Sequence, residues 1–347
     1  MEKDQGRLKY INIARGLVMV FVVMVHSFVP EIRGANSVVM MLFFWIATFI
    51  LQTFMVISGY LFERGYPKYR ARGGEVFFLG KLQNLMLPYL SMSVLSYVGI
   101  GFAFFIPPLA RVLHSGGYNE FGLGEAVFQI VTYEGHIINH LWFLPTLFLI
   151  FVVSYLTGKF FAGIPGLFVS LAVSVLPYFL TMPTLAYRVC SMLFFFNIGR
   201  QIVFVEGISQ KRWFAPLLIV FIGLFAVQRT GLLSWSPILE VLIAPIIGVA
   251  GAMTLFALSR IIENSTVGRC ASWIGDNSFA IYLLHQPFIV SGVSGILLMF
   301  TDLPHLVICS ITLVLGIFIP SAINKYIFGR VKLLRGLLLG DFSVKAE

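Results

Sequence analysis

Charged residues are scarce in this sequence, and that scarcity decides its class. Asp, Glu, Lys and Arg make up only 11% of the 347 residues, whereas about 25% is usual in soluble globular domains. Apolar residues make up 59%, and many stand in runs long enough to cross a bilayer. A soluble surface for a chain of this length needs far more charge. We therefore predict an all-α, polytopic membrane protein.

The motifs of several enzyme classes are missing as well. The sequence contains no HExxH, no CxxC, no P-loop and no GxSxG, so nothing in it favours a hydrolase, a zinc enzyme or a nucleotide-triphosphate enzyme. The three cysteines, Cys190, Cys270 and Cys309, have no metal-type spacing. We interpret them as small buried apolar residues and expect no metal.

Apolar runs bounded by charge, proline or glycine give the predicted membrane topology. We predict ten spans, at residues 11–30, 38–62, 80–106, 139–157, 161–180, 186–205, 213–229, 236–260, 274–298 and 303–327. No small-residue cleavage site follows the first apolar run, so we expect that span to be a retained signal anchor.

The basic residues test this topology. With the N-terminus inside, only four of the 24 basic residues fall on the outer side: Arg33, Arg111, Arg188 and Arg229. A wrong number of spans would reverse the later loops and destroy this bias. The positive-inside rule therefore supports ten spans with both termini cytoplasmic.

The segments outside the spans are too short for a second domain, so we treat residues 1–347 as one membrane domain. The internal stretch 63–74 is basic and rich in turn formers, and one interpretation of it is an anchor to anionic lipid. The external loop 107–139 is the longest, and residues 120–133 have the periodicity of a short surface helix. A cytoplasmic tail, 328–347, follows the last span.

The first span carries two ionisable residues on one face. Arg15 and His26 are eleven residues apart, so in a helix they lie ~20° apart around the axis and ~16 Å apart along it. Ionisable residues at membrane depth are costly and usually functional. The alternative is that Arg15 anchors the helix at the interface and His26 bonds a neighbouring helix.

Other polar residues lie at the ends of the predicted spans. Lys81 and Asn84 share one helix face at the depth of Arg15, which suggests a cationic pocket. The last turns of the second span contain Ser58-Gly59, for which close helix packing is the favoured interpretation.

Two more histidines are predicted within the membrane. His140 begins the fourth span at its outer end, and Trp142 beside it is typical of an aromatic belt. His285 lies two residues before Pro287 in the ninth span, whose polar start includes Asp276, a good helix N-cap. Because a proline frees a backbone carbonyl, His285 could have the structural role of bonding it.

Four stretches of the sequence, in this order, resemble the acyltransferase-3 family of integral membrane acyltransferases. They are Arg15-x10-His26, the segment from Phe54 to Phe62, His140-Leu-Trp-Phe-Leu, and Asn277-Ser-Phe-Ala-Ile-Tyr-Leu-Leu-His-Gln-Pro. The resemblance covers nearly the whole chain. It implies ten membrane helices, an acyl-CoA donor, and an arginine and histidine pair that is needed for activity.

The chain departs from the family at Lys81 and Asn84, where members often have two arginines three residues apart. One charge is lost, which puts a donor-binding role of Asn84 in doubt. The chain also has no appended esterase-like domain. It therefore resembles the short members, which typically acetylate sugars of surface polysaccharides, glycolipids or lipid-linked precursors.

These observations predict O-acylation of a carbohydrate hydroxyl with acetyl-CoA as donor. His26 would be either the general base or a transient carrier of the acyl group. At the cytoplasmic face, the residues expected to bind the anionic donor are Arg15, Lys68, Arg70, Arg72, Lys81 and Asn84. The residues expected to bind or orient the acceptor are His140, Trp142, Tyr282 and His285.

The strongest alternative is a transporter or flippase for a sugar-containing or lipid-linked solute, and a membrane scaffold is a third. We expect acyl-CoA, a carbohydrate and the bilayer as partners, in a bacterial inner (plasma) membrane. The net charge of +9 follows from the cytoplasmic loops, so no nucleic acid is expected. The sequence leaves open the sugar, acetyl against succinyl transfer, and the oligomeric state, a homo-oligomer included.

Overall fold

The computed structural model describes residues 2–28, 33–34, 37–133, 135, 137–232 and 236–342. Over these ranges every regular element is a helix, which confirms the predicted all-α class. The helices are α1 (Glu2–Ser27), α2 (Ser37–Ala47), α3 (Ile50–Arg72), α4 (Gly74–Lys81), α5 (Leu87–Phe104), α6 (Pro107–Ser115), α7 (Leu123–Thr132), α8 (Phe143–Leu156), α9 (Ile164–Val175), α10 (Thr184–Arg200), α11 (Ile202–Ile208), α12 (Phe214–Arg229), α13 (Pro237–Ile261), α14 (Thr266–Leu284), α15 (Val290–Phe300), α16 (His305–Ile323) and α17 (Lys332–Leu339).

The number of helices that can cross a membrane is lower than the ten predicted. Within the described ranges, eight helical segments are long and apolar enough, or nine if the bent pair α10 and α11 forms one span. The two predicted spans that are not among the eight lie between residues 161 and 205. Helix α9 has only 12 residues, about 18 Å of helix, because Pro177 follows it closely. The bend of 77° between α10 and α11 occurs at Gln201. The protein is a polytopic integral membrane protein, and its sidedness stays a prediction.

The basic stretch 63–74 is not the turn-rich loop that its composition predicts. Helix α3 continues through it to Arg72. Glu63 accepts a hydrogen bond of 2.7 Å from Nε of the buried Arg200, which holds the chain beyond the predicted span in helical conformation. The helix ends at Gly73, whose φ of 87° lies in a region that favours glycine.

The external loop 107–139 contains the two short helices α6 and α7. Helix α7 confirms the surface helix predicted within residues 120–133. The Tyr89 hydroxyl of α5 donates a hydrogen bond of 2.7 Å to the carbonyl oxygen of Ile130, so α7 is tied to α5. Positions 134 and 136 of this loop, and 343–347 of the tail, lie outside the described residues.

The chain forms two compact units. The first comprises Met1–Phe21, Met41–Val76 and Leu149–Asp276, and the second comprises Val22–Met40, Phe77–Phe148 and Asn277–Glu347.

In the first unit, α3 and α10 approach each other at the level of their backbones. A Cβ atom added at Gly59 would lie 1.9 Å from the carbonyl oxygen of Phe196. One added at Gly199 would lie 2.1 Å from the carbonyl oxygen of Val56. The close packing suggested by Ser58-Gly59 is therefore present, and it uses small residues as membrane helix pairs commonly do.

Helices α1 and α14 make a similar contact in the first unit. A Cβ atom at Gly16 would lie 1.8 Å from the carbonyl oxygen of Ala271, and one at Gly275 would lie 2.2 Å from that of Asn12. The Asn12 amide donates a hydrogen bond of 2.8 Å to Asp276. Asp276 therefore joins two helices in the interior of α14, and the predicted N-cap role is wrong because α14 already begins at Thr266.

We expect Gly59→Val to destabilise the protein, because the new side chain meets a backbone that cannot move away. Forcing extra methyl groups into a packed site typically costs about 1–3 kcal/mol. The measurement is the thermal unfolding midpoint of the purified protein in detergent. Gly223→Val is the matched control, since no heavy atom lies within 4 Å of an added Cβ at Gly223 of α12. Equal midpoints for the two variants would contradict the packing described here.

Candidate active site

His285 lies directly after the last turn of α14 and is fully buried. Its Nδ1 is 2.9 Å from the carbonyl oxygen of Ile281 and 2.8 Å from that of Tyr282. A carbonyl oxygen only accepts hydrogen bonds, so Nδ1 carries a proton, and in the neutral ring Nε2 then presents a lone pair. His285 thus bonds carbonyl oxygens of its own last turn, and not that of Leu283, which is the carbonyl that Pro287 leaves without an N–H donor.

The chain ends α14 at this histidine for a local reason. Gln286 has an extended backbone, with φ −120° and ψ 154°, and Pro287 has no N–H to offer the preceding turn. A helix end leaves the carbonyls of its last turn without intrahelical donors. The His285 ring supplies such a donor.

Three histidines from distant parts of the chain meet in the second unit. The ring centroid of His285 lies 5.0 Å from that of His26 and 5.7 Å from that of His140. We call these three residues the histidine cluster. His26 comes from the end of α1, and His140 from the 3-10 turn that precedes α8. The structure thus brings together three of the predicted site residues.

Two nitrogens of the histidine cluster are buried without a partner. Nε2 of His140 and Nε2 of His285 make no hydrogen bond within the described part of the chain. A buried nitrogen without a partner costs about 1–3 kcal/mol, and in a native protein it calls for an explanation. A polar ligand that bonds these atoms supplies one. The described His, Cys, Asp and Glu side chains form no group of three or more with the geometry to hold a metal ion.

Tyr282 holds the turn that carries His140. Its hydroxyl donates a hydrogen bond of 2.7 Å to the His140 carbonyl oxygen, and its ring centroid lies 6.4 Å from that of His285. Phe143 packs on the Tyr282 ring at 6.1 Å, and Trp142 packs on Phe143 at the same distance. Tyr282 is thus a positioning residue, and Trp142 lies behind Phe143.

Arg15 and His26 both lie in α1, as the spacing predicts. Arg15 belongs to the first unit, where Asp276 acts on it electrostatically. His26 belongs to the second unit. The role of Arg15 stays a prediction.

The other cations predicted to bind the donor are divided between the units. Lys68, Arg70 and Arg72 are exposed near the end of α3 in the first unit, and the Arg70 guanidinium lies 5.3 Å from the centre of the Tyr155 ring.

Lys81 and Asn84 belong to the second unit. Lys81 is half-buried with its ammonium group 5.6 Å from the centre of the Phe77 ring, and Asn84 is exposed in the π-helical turn Leu82–Met86.

Sequence reasoning missed Arg33. In the second unit this residue acts electrostatically on His26. A signal was present, because Arg33 is one of the four basic residues that depart from the positive-inside bias. A basic residue on the predicted outer side, close in sequence to a histidine of a membrane span, is the pattern that would have identified it.

The chain matches the family model of the acyltransferase domain, of the acyltransferase-3 type, over residues 8–323. This range includes Arg15 and the whole histidine cluster. No significant match is found among curated proteins or among solved structures.

We expect Tyr282→Phe to loosen the turn at residues 139–142, since it removes only the hydroxyl that bonds His140. One such hydrogen bond contributes about 1 kcal/mol. Hydrogen–deuterium exchange of the turn should therefore become faster. Tyr326→Phe is the matched control, because Tyr326 is an exposed tyrosine of the same unit. Unchanged exchange in Tyr282→Phe would contradict the positioning role.

Proposed function

Because the chain belongs to the acyltransferase-3 family, we propose that it moves an acetyl group from cytoplasmic acetyl-CoA to a hydroxyl of a carbohydrate. Acyl transfer is the activity of the family, whereas the donor, the acceptor and the role of each residue are our proposal. The observation that supports it best is the histidine cluster, with two buried nitrogens that have no partner in the part of the chain that the structure describes. Acyl transfer to a hydroxyl needs nitrogen atoms of this kind, which can take a proton or accept a hydrogen bond, at the point of reaction.

The chemistry requires a base, because a sugar hydroxyl is a poor nucleophile at neutral pH. In the simpler scheme, the His26 imidazole takes the hydroxyl proton while the oxygen attacks the thioester carbonyl. The tetrahedral intermediate then expels the CoA thiolate, which receives the proton from the imidazolium. The products are the carbohydrate ester and free CoA.

In the second scheme, His26 carries the acyl group. Its nitrogen attacks the thioester and releases CoA, and the hydroxyl then attacks the acyl-imidazole and frees the histidine. Donor and acceptor need not be bound together in this case. A rapid quench with denaturant at neutral pH, after mixing with radiolabelled acetyl-CoA without acceptor, separates the schemes, because only the second leaves label on the protein.

His285 suits an orienting role in either scheme. Its Nδ1 proton is committed to the backbone, so the neutral ring can only accept a hydrogen bond at Nε2. An acceptor hydroxyl or the N–H of His26 can donate that bond. We assign His140, Tyr282 and Trp142 to the surroundings of the acceptor, with Tyr282 acting through the turn it holds.

The donor carries several phosphate charges, which basic side chains recognise. Arginine binds phosphate with two parallel hydrogen bonds and lysine acts as a point charge. The exposed Lys68, Arg70 and Arg72 are available for this contact. We propose that they bind the CoA phosphates, and the donor-binding roles of Arg15, Lys81 and Asn84 stay predictions.

We expect His26→Ala to abolish acetyl transfer while the protein still folds and inserts. Loss of a general base typically costs about 10²–10⁴-fold in rate, and loss of an acyl carrier removes the pathway. The assay follows radiolabel from acetyl-CoA into membrane glycans. His305→Ala is the matched control, because His305 is an exposed histidine of the same unit. Normal transfer by a monodisperse His26→Ala protein would disprove the assignment.

We expect the double variant Arg70→Ala, Arg72→Ala to bind acetyl-CoA about tenfold more weakly or worse, since each charge-assisted hydrogen bond contributes about 1.5–3 kcal/mol. Isothermal titration at two salt concentrations measures the change, and the variant should also lose part of the salt dependence. Arg212→Ala is the control, as another exposed arginine of the first unit.

The same titration tests the transporter alternative. If the wild-type protein does not bind acetyl-CoA, and proteoliposomes accumulate an unmodified sugar without CoA, the protein is a transporter and the proposed reaction is wrong.

A further inference from the structure

Helix α7 lies along α5 in the second unit and runs in the opposite direction. Phe121, just before α7, packs with its ring centroid 5.0 Å from that of Tyr97. The Tyr97 hydroxyl donates a hydrogen bond to the side-chain oxygen of Gln129 within α7. Tyr133, directly after α7, has its ring centroid 5.3 Å from that of Tyr89. The contacts thus move back along α5, from Tyr97 to Tyr89, as the chain moves forward through α7.

These contacts set the depth of α7 in the membrane. Helix α5 is the second part of the membrane-crossing segment Gly74–Phe104, which has 31 residues, and Tyr89 lies at the midpoint of that segment. At 1.5 Å per residue, about 22 Å of helix separate Tyr89 from Phe104, whereas half of the hydrocarbon core is about 15 Å thick. The end of α7 that contacts Tyr89 therefore lies near the middle of the bilayer.

The face that α7 turns away from the protein is apolar. Leu123, Val127, Phe128 and Val131 are each more than half exposed, whereas Ala126 on another side of the helix is buried. With 3.6 residues per turn, the four exposed side chains span about 140° of the helix circumference. The medium around the protein at this depth is hydrocarbon, which fits such a face.

Helix α5 presents the same kind of face. Val94, Val98 and Phe102 are four residues apart, so they form one stripe along α5, and each is more than half exposed. The only charged residue of α7 is Glu125, which lies in the first turn, at the end of α7 that is nearer to the membrane surface. Both helices thus have the surface of a membrane-spanning segment.

Helix α8 alone covers only part of the bilayer. Its 14 residues give about 21 Å of helix, against about 30 Å of hydrocarbon. The segment Asn139–Leu156 reaches 18 residues only because it includes the 3-10 turn Asn139–Trp142. The 10 residues of α7 add about 15 Å. Together, α7 and α8 have the length of one complete crossing.

The region between α7 and α8 meets a second interrupted helix at the histidine cluster. Helix α14 ends before His285, and the extended Gln286 precedes the start of α15 at Val290. The Tyr282 hydroxyl bonds the His140 carbonyl oxygen and so joins the two regions. In membrane proteins, irregular backbone at this depth occurs where it is buried in protein or lines a cavity. Discontinuous helices of this kind often form binding sites near the bilayer midplane.

We propose that α7 and α8 are the two halves of one interrupted membrane span, and that the exposed face of α7 contacts the hydrocarbon of the bilayer. The aqueous part of the predicted loop 107–139 then ends near residue 122. His140 lies at the interruption, within the membrane rather than at the outer end of a span. The inference goes beyond the proposed function, since it holds for any reaction at the histidine cluster.

Spin labels on α7 test the proposal in the full-length protein in lipid nanodiscs. The three native cysteines are replaced by alanine, and Leu123→Cys, Val127→Cys and Val131→Cys each carry one label on the exposed face. Power saturation with oxygen, which concentrates in hydrocarbon, and with a water-soluble nickel complex gives the depth of each label. From position 123 to 131 the depth should increase by about 12 Å for a helix along the bilayer normal. Collisions with nickel should be lost at position 131.

Two positions of the same unit are the controls. Asn119→Cys places the label on an exposed residue before α7, where nickel should collide with it freely. Val94→Cys places it on the exposed face of α5, where nickel should be excluded. Only variants that elute like the wild type in size-exclusion chromatography are measured, and Phe128→Cys on the same face replaces any that do not.

Three results would overturn the proposal. Nickel collisions at all three α7 positions as strong as at Asn119→Cys would place α7 in water. An equal depth for the three labels would mean that α7 lies flat on the membrane surface. Protection from both oxygen and nickel, together with broadening by a second label, would mean that another copy of the chain covers this face.

Discussion

The Nδ1–H of His285 is bonded to the carbonyl oxygens of Ile281 and Tyr282, and the rest of the site depends on these two bonds. They fix the ring at the end of α14 and leave its lone pair at Nε2. His26 and His140 then pack against a ring whose orientation and tautomer are already set. The break in the helix at Gln286 and Pro287 leaves carbonyl oxygens free to accept the Nδ1–H bonds of His285. These bonds set the position of the ring and leave Nε2 facing the other histidines.

The bilayer explains why the remaining polar groups are few and specific. Without water, polar groups must be paired within the protein, and helices gain little from hydrophobic burial against one another. The first unit meets this constraint with close backbone packing at Gly16 and Gly59, and with the ion pair between the buried Arg200 and the partly exposed Glu63. In the histidine cluster, two nitrogens have no partner among the described residues. Since such atoms are costly here, their retention is consistent with a reaction at this position.

The helical class, most spans and the ionisable face of α1 could be predicted from the sequence, because long apolar runs and helical spacing are local properties. The conformation of residues 63–74 could not, since the bond between Glu63 and Arg200 joins segments far apart in the sequence. The two spans predicted between residues 161 and 205 correspond to a short helix and a bent helix pair, because apolar composition does not reveal where a helix is short or bent.

For the site, the sequence identified His26, His140 and His285 separately. Their convergence depends on how distant helices pack. The electrostatic effect of Arg33 on His26 also depends on packing. The sequence did show that Arg33 is one of the few basic residues on the predicted outer side.

The central claim is that acyl transfer takes place at the histidine cluster. An electron cryo-microscopy structure with a non-transferable thioether analogue of acetyl-CoA tests it most directly. The account predicts that the analogue carbonyl lies within hydrogen-bond distance of His26 or of Nε2 of His285, with the CoA phosphates on basic side chains. An analogue bound away from the cluster, or a His26 ring that faces lipid, would contradict it.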